Sequence, residues 1–489
     1  MTGSTNNLTH RPAPTDHAAE EFFDHSSAKR VNTDAVIAQT LRQQYPELKL
    51  TIAPADACNL LAYASTGHAS FTPVEDAADA PAAGIIASLK WRMYIPPARR
   101  LDKQQGVMAD HVIFGKYIYK YKSEEFILYV VEGRDGTNFY PAQTNNYILS
   151  NEEHVVDELI KVASRWSMEL HNEVWVFDRG YWQKNAELYQ SVQKASWDSV
   201  ILDPEMKKAI REDIAYFFDN RDTYEGLKVP WKRGVIYYGP PGNGKTISIK
   251  AIMKDLYGRD EPIPTCYVRT LASFGGPEYA LSLIFNKARA EAPCLLVFED
   301  LDSIVSDGVR SYFLNEVDGL KANDGILMVG STNHLDRLDP GISKRPSRFD
   351  RKYLFPDPNQ DERIQYCHFW QHKLADNKDL DFPDSLCPAI ADITDGFSFA
   401  YMQEAFVASL LTIASNDQQP PVGDEECLLC LGKGQQTACN RCNPKFGYRR
   451  EHDDLNKYLL WRVIKKQVKI LRDEVSDSDP EYAKRVGWA

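Results

Sequence analysis

The alternation of apolar and polar positions predicts a mixed domain in the first part of the chain. Tyrosines occupy every second position over 117–121, and an apolar run over 126–131 follows the polar segment KSEE, so these two runs predict a β-hairpin. Apolar side chains then recur at helical spacing, at Val155, Leu159, Val162, Trp166 and Leu170. Residues 174–177 have the pattern of another strand. We therefore expect an α+β N-terminal domain over residues 31–194, preceded by a polar, disordered segment over residues 1–30.

The second part of the chain has a different periodicity. Asp203 is a typical N-cap and Pro204 a typical first residue, so a helix is predicted to begin there. From residue 195 to 358, strand-like apolar runs alternate with helical patterns, which is typical of a doubly wound parallel sheet with its ligand at the carboxyl ends of the strands. Residues 359–489 are largely helical in pattern, and a small insertion interrupts them at about 420–448. The predicted fold class is α/β for this part of the chain.

One loop of the predicted sheet has the full phosphate-binding pattern. The segment RGVIYYGPPGNGKTISIK, residues 233–250, places that pattern between an apolar strand and a helix. Its residues are Gly239, Pro240, Pro241, Gly242, Asn243, Gly244, Lys245 and Thr246. Backbone N–H groups can turn toward a polyphosphate, Lys245 can reach the terminal phosphates, and the Thr246 hydroxyl can bind Mg²⁺. A Gly/Pro-rich loop without a ligand is the alternative, and the strand–loop–helix context favours binding of ATP or GTP with Mg²⁺.

Hydrolysis also needs acidic groups beside the phosphates, and later segments supply candidates. The apolar run CLLVF is followed by Glu299 and Asp300, and the next strand-like run, ILMVGST, is followed by Asn333. One carboxylate of such a pair can bind Mg²⁺, the other can orient the attacking water, and an amide can position that water against the γ-phosphate. RPSRFDR then carries Arg345 and Arg348, whose guanidinium groups suit the charge on a transferring phosphoryl group.

These four motifs carry a resemblance to a known family. GPPGNGKT, LLVFEDLD, GSTNHLDRLDP and RPSRFDR occur in an order and at distances that resemble the AAA ATPases, over about residues 195–480. The segment SVILDPEMKKAIREDIAYFFDNRDTYEGLKVPWKRG and the order Glu-then-Asp are similar to one branch, the mitochondrial Rieske iron–sulfur protein translocases, although the membrane span of that branch is missing here. The resemblance implies a P-loop ATPase core over 195–358, a helical lid over 359–489, and a ring, usually a hexamer, with ATP between subunits.

The resemblance also implies a role for each candidate residue. Glu299 corresponds to the Mg²⁺-side acid, Asp300 to the acid that activates water, and Asn333 to the γ-phosphate sensor. Arg345 and Arg348 correspond to two arginines that act on the nucleotide of a neighbouring subunit. Because Asp300 is one methylene shorter than a glutamate, slow turnover and a role as an ATP-gated switch remain open.

A glycine-flanked aromatic residue suggests a contact for a polypeptide. The region that corresponds to the channel-facing loop of polypeptide-threading rings reads LASFGGPEYALSLIF, in which Phe274 precedes Gly275 and Gly276. An exposed, flexible loop with one aromatic side chain fits this pattern. The alternative is that Phe274 packs within a turn.

Four cysteines within the insertion have the spacing of a zinc site. CLLCLGKGQQTACNRC contains two CxxC pairs, which place Cys427 and Cys430 beside Cys439 and Cys442. Four thiolates at this spacing can bind one tetrahedral Zn²⁺ with no position left for water, so a structural zinc is predicted. Four reduced cysteines in a disordered loop are the alternative.

Composition narrows the class of protein further. No run of 18 apolar residues and no signal or transit pattern occurs, so we expect no membrane span and a cytoplasmic or nuclear location. The net charge of -12 argues against a nucleic-acid partner. We therefore expect ATP hydrolysis in a ring, coupled to remodelling or translocation of an unknown protein client. A nucleotide-gated scaffold or adaptor with little turnover and a nucleic-acid-dependent ATPase remain the alternatives.

Overall fold

The computed structural model describes residues 32–74, 88–97, 105–133, 143–318, 321–343, 348–377, 380–415 and 453–478. Contacts divide the chain into two compact units, residues 1–169 and residues 170–489. Three groups of predictions lie outside the described residues: the disordered segment 1–30, the cysteine insertion with Cys427, Cys430, Cys439 and Cys442, and Arg345.

The described residues of the first unit form a six-stranded antiparallel sheet and three helices. Its strands, in chain order, are β1 (Lys49–Pro54), β2 (Ser70–Pro73), β3 (Ser88–Ile95), β4 (Val107–Tyr121), β5 (Glu124–Gly133) and β6 (Gln143–Ser150). The strand order is β1-β6-β5-β4, and both β2 and β3 pair with the long strand β4. The helices are α1 (Thr33–Gln44), α2 (Leu60–Ser65) and α3 (Glu153–Met168).

The alternating tyrosines of β4 build the core of this unit. Tyr117, Tyr119 and Tyr121 are buried and point to one face of the sheet. On that face lie the buried Val156 and Leu159 of α3. The predicted hairpin is present as the antiparallel pair β4–β5, with Tyr119 opposite Phe126.

The second unit contains a seven-stranded sheet. Its strands are β7 (Val174–Asp178), β8 (Tyr181–Asn185), β9 (Lys232–Tyr238), β10 (Thr265–Val268), β11 (Cys294–Phe298), β12 (Ile326–Thr332) and β13 (Arg351–Leu354). The order is β13-β9-β12-β11-β10-β7-β8, and every pair is parallel except β7–β8. The predicted doubly wound parallel sheet is therefore present, because helices connect the parallel strands and apolar clusters cover both faces.

The helices of the second unit cover the sheet and then form a separate helical layer. Those before and between the strands are α4 (Ala186–Gln193), α5 (Pro204–Asp219), α6 (Arg221–Leu227), α7 (Lys245–Tyr257), α8 (Gly276–Glu291), α9 (Leu301–Ile304), α10 (Asp307–Asp318) and α11 (Pro340–Ser343). Those that the structure describes after β13 are α12 (Gln360–Lys373), α13 (Leu386–Ile393), α14 (Phe399–Ala414) and α15 (Leu459–Ser478). Short 3₁₀ turns occupy Trp197–Ser199, Leu335–Arg337 and Asp453–Lys457. None of the helices in the described part of the chain is long and apolar enough to span a bilayer.

The predicted capping of α5 is present in the structure. The Asp203 carboxylate accepts a hydrogen bond from the backbone N–H of Met206 at 2.9 Å, and Pro204 is the first helical residue. This bond satisfies one of the free N–H groups at the helix start. The side chains of Ile210, Ile214 and Phe217 are buried against the sheet that carries β9.

The boundary between the two units differs from the predicted one. We expected the N-terminal domain to extend to residue 194, but β7 pairs in parallel with β10, with Val176 opposite Tyr267. The contacts accordingly place the boundary between residues 169 and 170. The physical reason is burial: Val174–Phe177 is apolar on both faces, and both faces are covered within the second unit.

The helices after β13 share an apolar core of their own. Leu460, Ile464 and Val468 of α15 are buried together with Ile390 of α13 and Phe406 of α14. We refer to α12–α15 as the lid, because they follow the sheet domain in the chain and α14 contacts its phosphate loop, as described below.

Candidate nucleotide and hydrolysis site

The phosphate loop lies between the end of β9 and the start of α7, and its glycines are tightly confined. A Cβ atom placed on Gly239 would lie 2.2 Å from the carbonyl oxygen of Phe355. A Cβ atom on Gly242 would lie 2.4 Å from the Cβ atom of Ala400 in α14. Both residues have positive φ angles, of 140° and 81°. The loop therefore requires glycine at these two positions, both for conformation and for space.

Lys245 is the first residue of α7 and is almost fully buried. Its Nζ atom donates hydrogen bonds to the carbonyl oxygens of Gly239 and Pro240, each at 2.8 Å. Burial lowers the pKa of Lys245 to about 8, although the charges of Asp300, Asp302 and Asp357 act in the opposite direction. The ammonium group is thus held within the loop. The negative charge of a bound polyphosphate would favour its charged form.

Asn243 joins the phosphate loop to the elements on either side of it. Its side chain is 1% exposed, and its Nδ2 atom donates a hydrogen bond to Asp357, just after β13, at 2.9 Å. Its Oδ1 atom accepts a longer bond of 3.4 Å from the backbone N–H of Phe399, the first residue of α14. Thr246, the predicted Mg²⁺ ligand of the loop, is exposed in the second position of α7.

Glu299 and Asp300 follow directly after β11. The phenol of Tyr267 donates a short hydrogen bond to the Oε2 atom of Glu299. The Oε1 atom is buried and has no hydrogen-bond partner among the described residues. Asp300 is exposed, has a φ angle of 50°, and its N–H donates to the Ser331 hydroxyl at 3.3 Å.

A buried carboxylate oxygen without a donor is a costly arrangement that a cation would relieve. Mg²⁺ prefers oxygen ligands and is bound in nucleotide sites by one or two carboxylates together with substrate phosphates. The unpaired Oε1 atom of Glu299, the buried Lys245 and the glycine-confined loop therefore fit ATP with Mg²⁺.

Asn333 follows β12 directly and is half-buried. Before it, the Thr332 hydroxyl donates a hydrogen bond of 2.7 Å to Asp302. Because β9, β12 and β11 are parallel neighbours, their carboxyl ends meet at one edge of the sheet. The structure thus places the phosphate loop, the acid pair and Asn333 at this edge, and their roles stay predictions.

Arg348 lies in a different setting from the one expected of an arginine that acts on a neighbouring subunit. Its side chain is 9% exposed. Its Nε atom donates to Asp318 at 3.1 Å and its Nη1 atom to the carbonyl of Gly341 at 2.7 Å. Lys232 binds the other oxygen of Asp318 at 3.0 Å. In this structure the guanidinium group is therefore engaged within its own chain, and the trans-acting role stays a prediction.

Sequence reasoning did not find Tyr267. Burial, followed by the negative charge of Glu299, raises the pKa of Tyr267, so the phenol keeps its proton and acts as a donor. Its position on β10, beside the strand that Glu299 follows, was the available signal. That signal could be used only with the strand order, which the sequence did not establish.

The comparison with known families agrees with this geometry. Residues 235–357 match the family described as ATPase family associated with various cellular activities (AAA). The match begins in β9 and ends just after β13, so it includes the phosphate loop, the acid pair and Asn333. The chain therefore contains an AAA ATPase domain with a P-loop α/β core. It is an ATP hydrolase, and this family of enzymes uses ATP with Mg²⁺.

Proposed function

We propose that the chain hydrolyses ATP in an oligomeric ring and uses the energy to remodel or translocate a protein client. The observation that carries the client part of this proposal is the position of Phe274. Its side chain is fully exposed on the loop between β10 and α8, which leaves the same edge of the sheet as Glu299. Aromatic side chains are enriched in protein–protein interfaces, so this exposed side chain on the loop is a candidate contact for a partner.

Each residue at the sheet edge has its own role in the proposed hydrolysis of ATP. Lys245 neutralises charge on the terminal phosphates, and the Thr246 hydroxyl and Glu299 would hold the Mg²⁺ that accompanies ATP. When bound, that ion withdraws negative charge from the phosphate oxygens. The Asp300 carboxylate accepts a hydrogen bond from the attacking water and orients it in line with the γ-phosphorus. The Asn333 amide fixes the same water from the neighbouring strand end.

Arginines from a neighbouring subunit would complete the site. Proteins with AAA domains are usually oligomeric, and an arginine supplied in trans contributes a rate effect of roughly 10³-fold or more. Arg345 and Arg348 are the predicted donors. For Arg348 this role requires its guanidinium group to exchange Asp318 and the Gly341 carbonyl for the phosphate of the neighbour.

The order Glu299-then-Asp300 supports the finer resemblance to the Rieske translocase branch, but it does not identify a substrate. The exposed, short side chain of Asp300 also favours a second candidate, an ATP-gated switch or scaffold with little turnover. If the aspartate cannot reach the water, a loss of about 3 kcal/mol of barrier lowering would cost roughly two decades in rate.

Steady-state ATPase activity measured against protein concentration separates these candidates. In the ring, specific activity rises with concentration because each site needs its neighbour, and it is lost in Asp300→Asn while ATP binding is kept. Specific activity that does not change with concentration would overturn the shared site. Tight ATP binding without turnover at any concentration would favour the switch.

A further inference from the structure

We infer that Tyr267 is a positioning residue, which holds the Glu299 carboxylate in the orientation that presents its free oxygen to Mg²⁺. This inference rests on the proposed role of Glu299 as the Mg²⁺-side acid. Tyr267 itself would touch neither nucleotide nor metal. It would act only through the carboxylate that its phenol binds.

The rigid sheet fixes the distance between the two side chains. Tyr267 lies on β10, opposite Val297 of the parallel neighbour β11, and Glu299 follows two residues later. The strands β10 and β11 are buried between neighbours on both sides, β7 and β12. The phenol can therefore reach the carboxylate without any movement of the backbone, and the bond is formed from one central strand to the next.

The hydrogen bonds of Glu299 are unequally distributed between its two oxygens. Oε2 accepts from the Tyr267 hydroxyl, and no other hydrogen bond to this carboxylate occurs among the described residues. Oε1 is buried and unpaired. A glutamate with one tethered oxygen loses the free rotation about its last torsion, which otherwise interchanges the two oxygens. Groups that orient a metal ligand in this way typically affect metal affinity about 10-fold or more.

The substitution Tyr267→Phe removes the hydroxyl and keeps the ring. We would measure the affinity for ADP by isothermal titration calorimetry, once with Mg²⁺ and once with EDTA. We expect the affinity in EDTA to be unchanged. The factor by which Mg²⁺ increases the ADP affinity, which we call the Mg²⁺ gain, should fall about 10-fold. An unchanged gain would overturn the inference. An equal loss with and without Mg²⁺ would also overturn it, because that result indicates a general packing defect.

Tyr237→Phe is a matched control. Tyr237 lies on β9, is fully buried, and its hydroxyl has no hydrogen-bond partner among the described residues. Removal of this hydroxyl should leave the Mg²⁺ gain as it is in the parent protein. A fall equal to that of Tyr267→Phe would show that the effect is not specific to Glu299, and the inference would be wrong.

A double substitution tests the role of Tyr267 separately from the proposed role of Glu299. If Tyr267 acts through Glu299, Tyr267→Phe has no further effect on the Mg²⁺ gain in a Glu299→Gln background. An additive loss would overturn the positioning role and leave the role of Glu299 intact. If Glu299→Gln alone keeps the full gain from Mg²⁺, the proposed role of Glu299 fails, and the inference fails with it.

Discussion

Gly242 of the phosphate loop lies directly against Ala400 of the lid. A Cβ atom on Gly242 would approach that of Ala400 to 2.4 Å and the Ser398 hydroxyl to 3.2 Å. The loop that would receive the phosphates and the first turn of α14 are thus in contact through a glycine and an alanine, the two smallest residues. Movement of either element must be transmitted to the other at this point.

The first prediction follows from this contact. Gly242→Ala introduces a methyl group at a φ angle of 81° and into the space of Ala400. We expect a loss of about 1–3 kcal/mol in stability from backbone strain and overpacking. ADP affinity should also fall, because the loop and the lid can no longer pack as they do now. Urea unfolding and calorimetric titration measure the two effects.

Gly226→Ala is the control for this substitution. Gly226 lies in α6, and a Cβ atom there meets no atom within 4 Å. Alanine inside a helix is favoured over glycine by about 0.5–1 kcal/mol, so stability should stay the same or rise slightly. Equal destabilisation by the two substitutions would contradict the importance of the Gly242–Ala400 contact.

The second prediction concerns the pH dependence of nucleotide binding. Burial lowers the pKa of Lys245 to about 8, so above that pH the ligand-free site holds a neutral amine. Bound phosphates favour the charged form and raise this pKa. Binding should then take up a proton, and ADP affinity should fall as the pH rises through 8. Titration at pH 8.5 in two buffers with different ionisation enthalpies measures this proton uptake.

Lys245→Arg tests the assignment of that proton. A guanidinium group stays charged throughout this range, so proton uptake should disappear even if binding becomes weaker. Uptake that persists in the arginine variant would assign the proton to another group.

The third prediction concerns Asp318, whose carboxylate forms ion pairs with two basic side chains. Asp318→Ala leaves Arg348 and Lys232 without their shared carboxylate, and the Arg348 side chain is 9% exposed. Breaking a buried ion pair from one side is strongly destabilising, and we expect a loss of about 3 kcal/mol. The midpoint of urea unfolding measures it. Asp307→Ala provides the comparison, since Asp307 is exposed and pairs with Arg310 at the surface; its midpoint should not change.

The fourth prediction tests Phe274 as a client contact. Because this side chain is fully exposed, Phe274→Ser should leave the unfolding midpoint and the basal ATPase rate unchanged. Stimulation of the ATPase by a permanently unfolded polypeptide, such as reduced and carboxymethylated lactalbumin, should be lost. Leu227→Ser changes another exposed apolar residue, on α6, and should keep the stimulation. A parent protein that shows no stimulation would contradict the client role in this assay.

Local signals in the sequence were sufficient for much of the fold. The hairpin β4–β5, the helix α3 and the cap of α5 each depend on side chains within a few residues of one another. The first two were predicted from the spacing of apolar residues, and the cap was predicted from the residue types at 203 and 204. The phosphate loop, the acid pair and Asn333 were predicted as site residues because each one follows an apolar strand. In a parallel sheet, residues that follow the strands meet at one edge.

Features that depend on strand order were not predictable in the same way. The sequence identified β7 as a strand but could not say which sheet it joins. Its uninterrupted apolar run, Val174–Phe177, was a signal for a strand covered on both faces, as is usual in parallel sheets. The bond between Tyr267 and Glu299 and the engagement of Arg348 by Asp318 join residues about 30 positions apart. They become visible only when the register is known.

The place of β7 in the sheet also determines how far this protein can be truncated and still fold. The family match covers residues 235–357, yet β10 within it pairs on its outer side with β7, outside the match. A fragment trimmed to the matched stretch would leave β10 as an unprotected edge strand, with free N–H and carbonyl groups and the apolar surface that Trp175 and Phe177 now cover. Such edges promote aggregation between molecules. The smallest fragment that folds on its own should therefore begin near residue 170, well before the first recognisable motif of the enzyme.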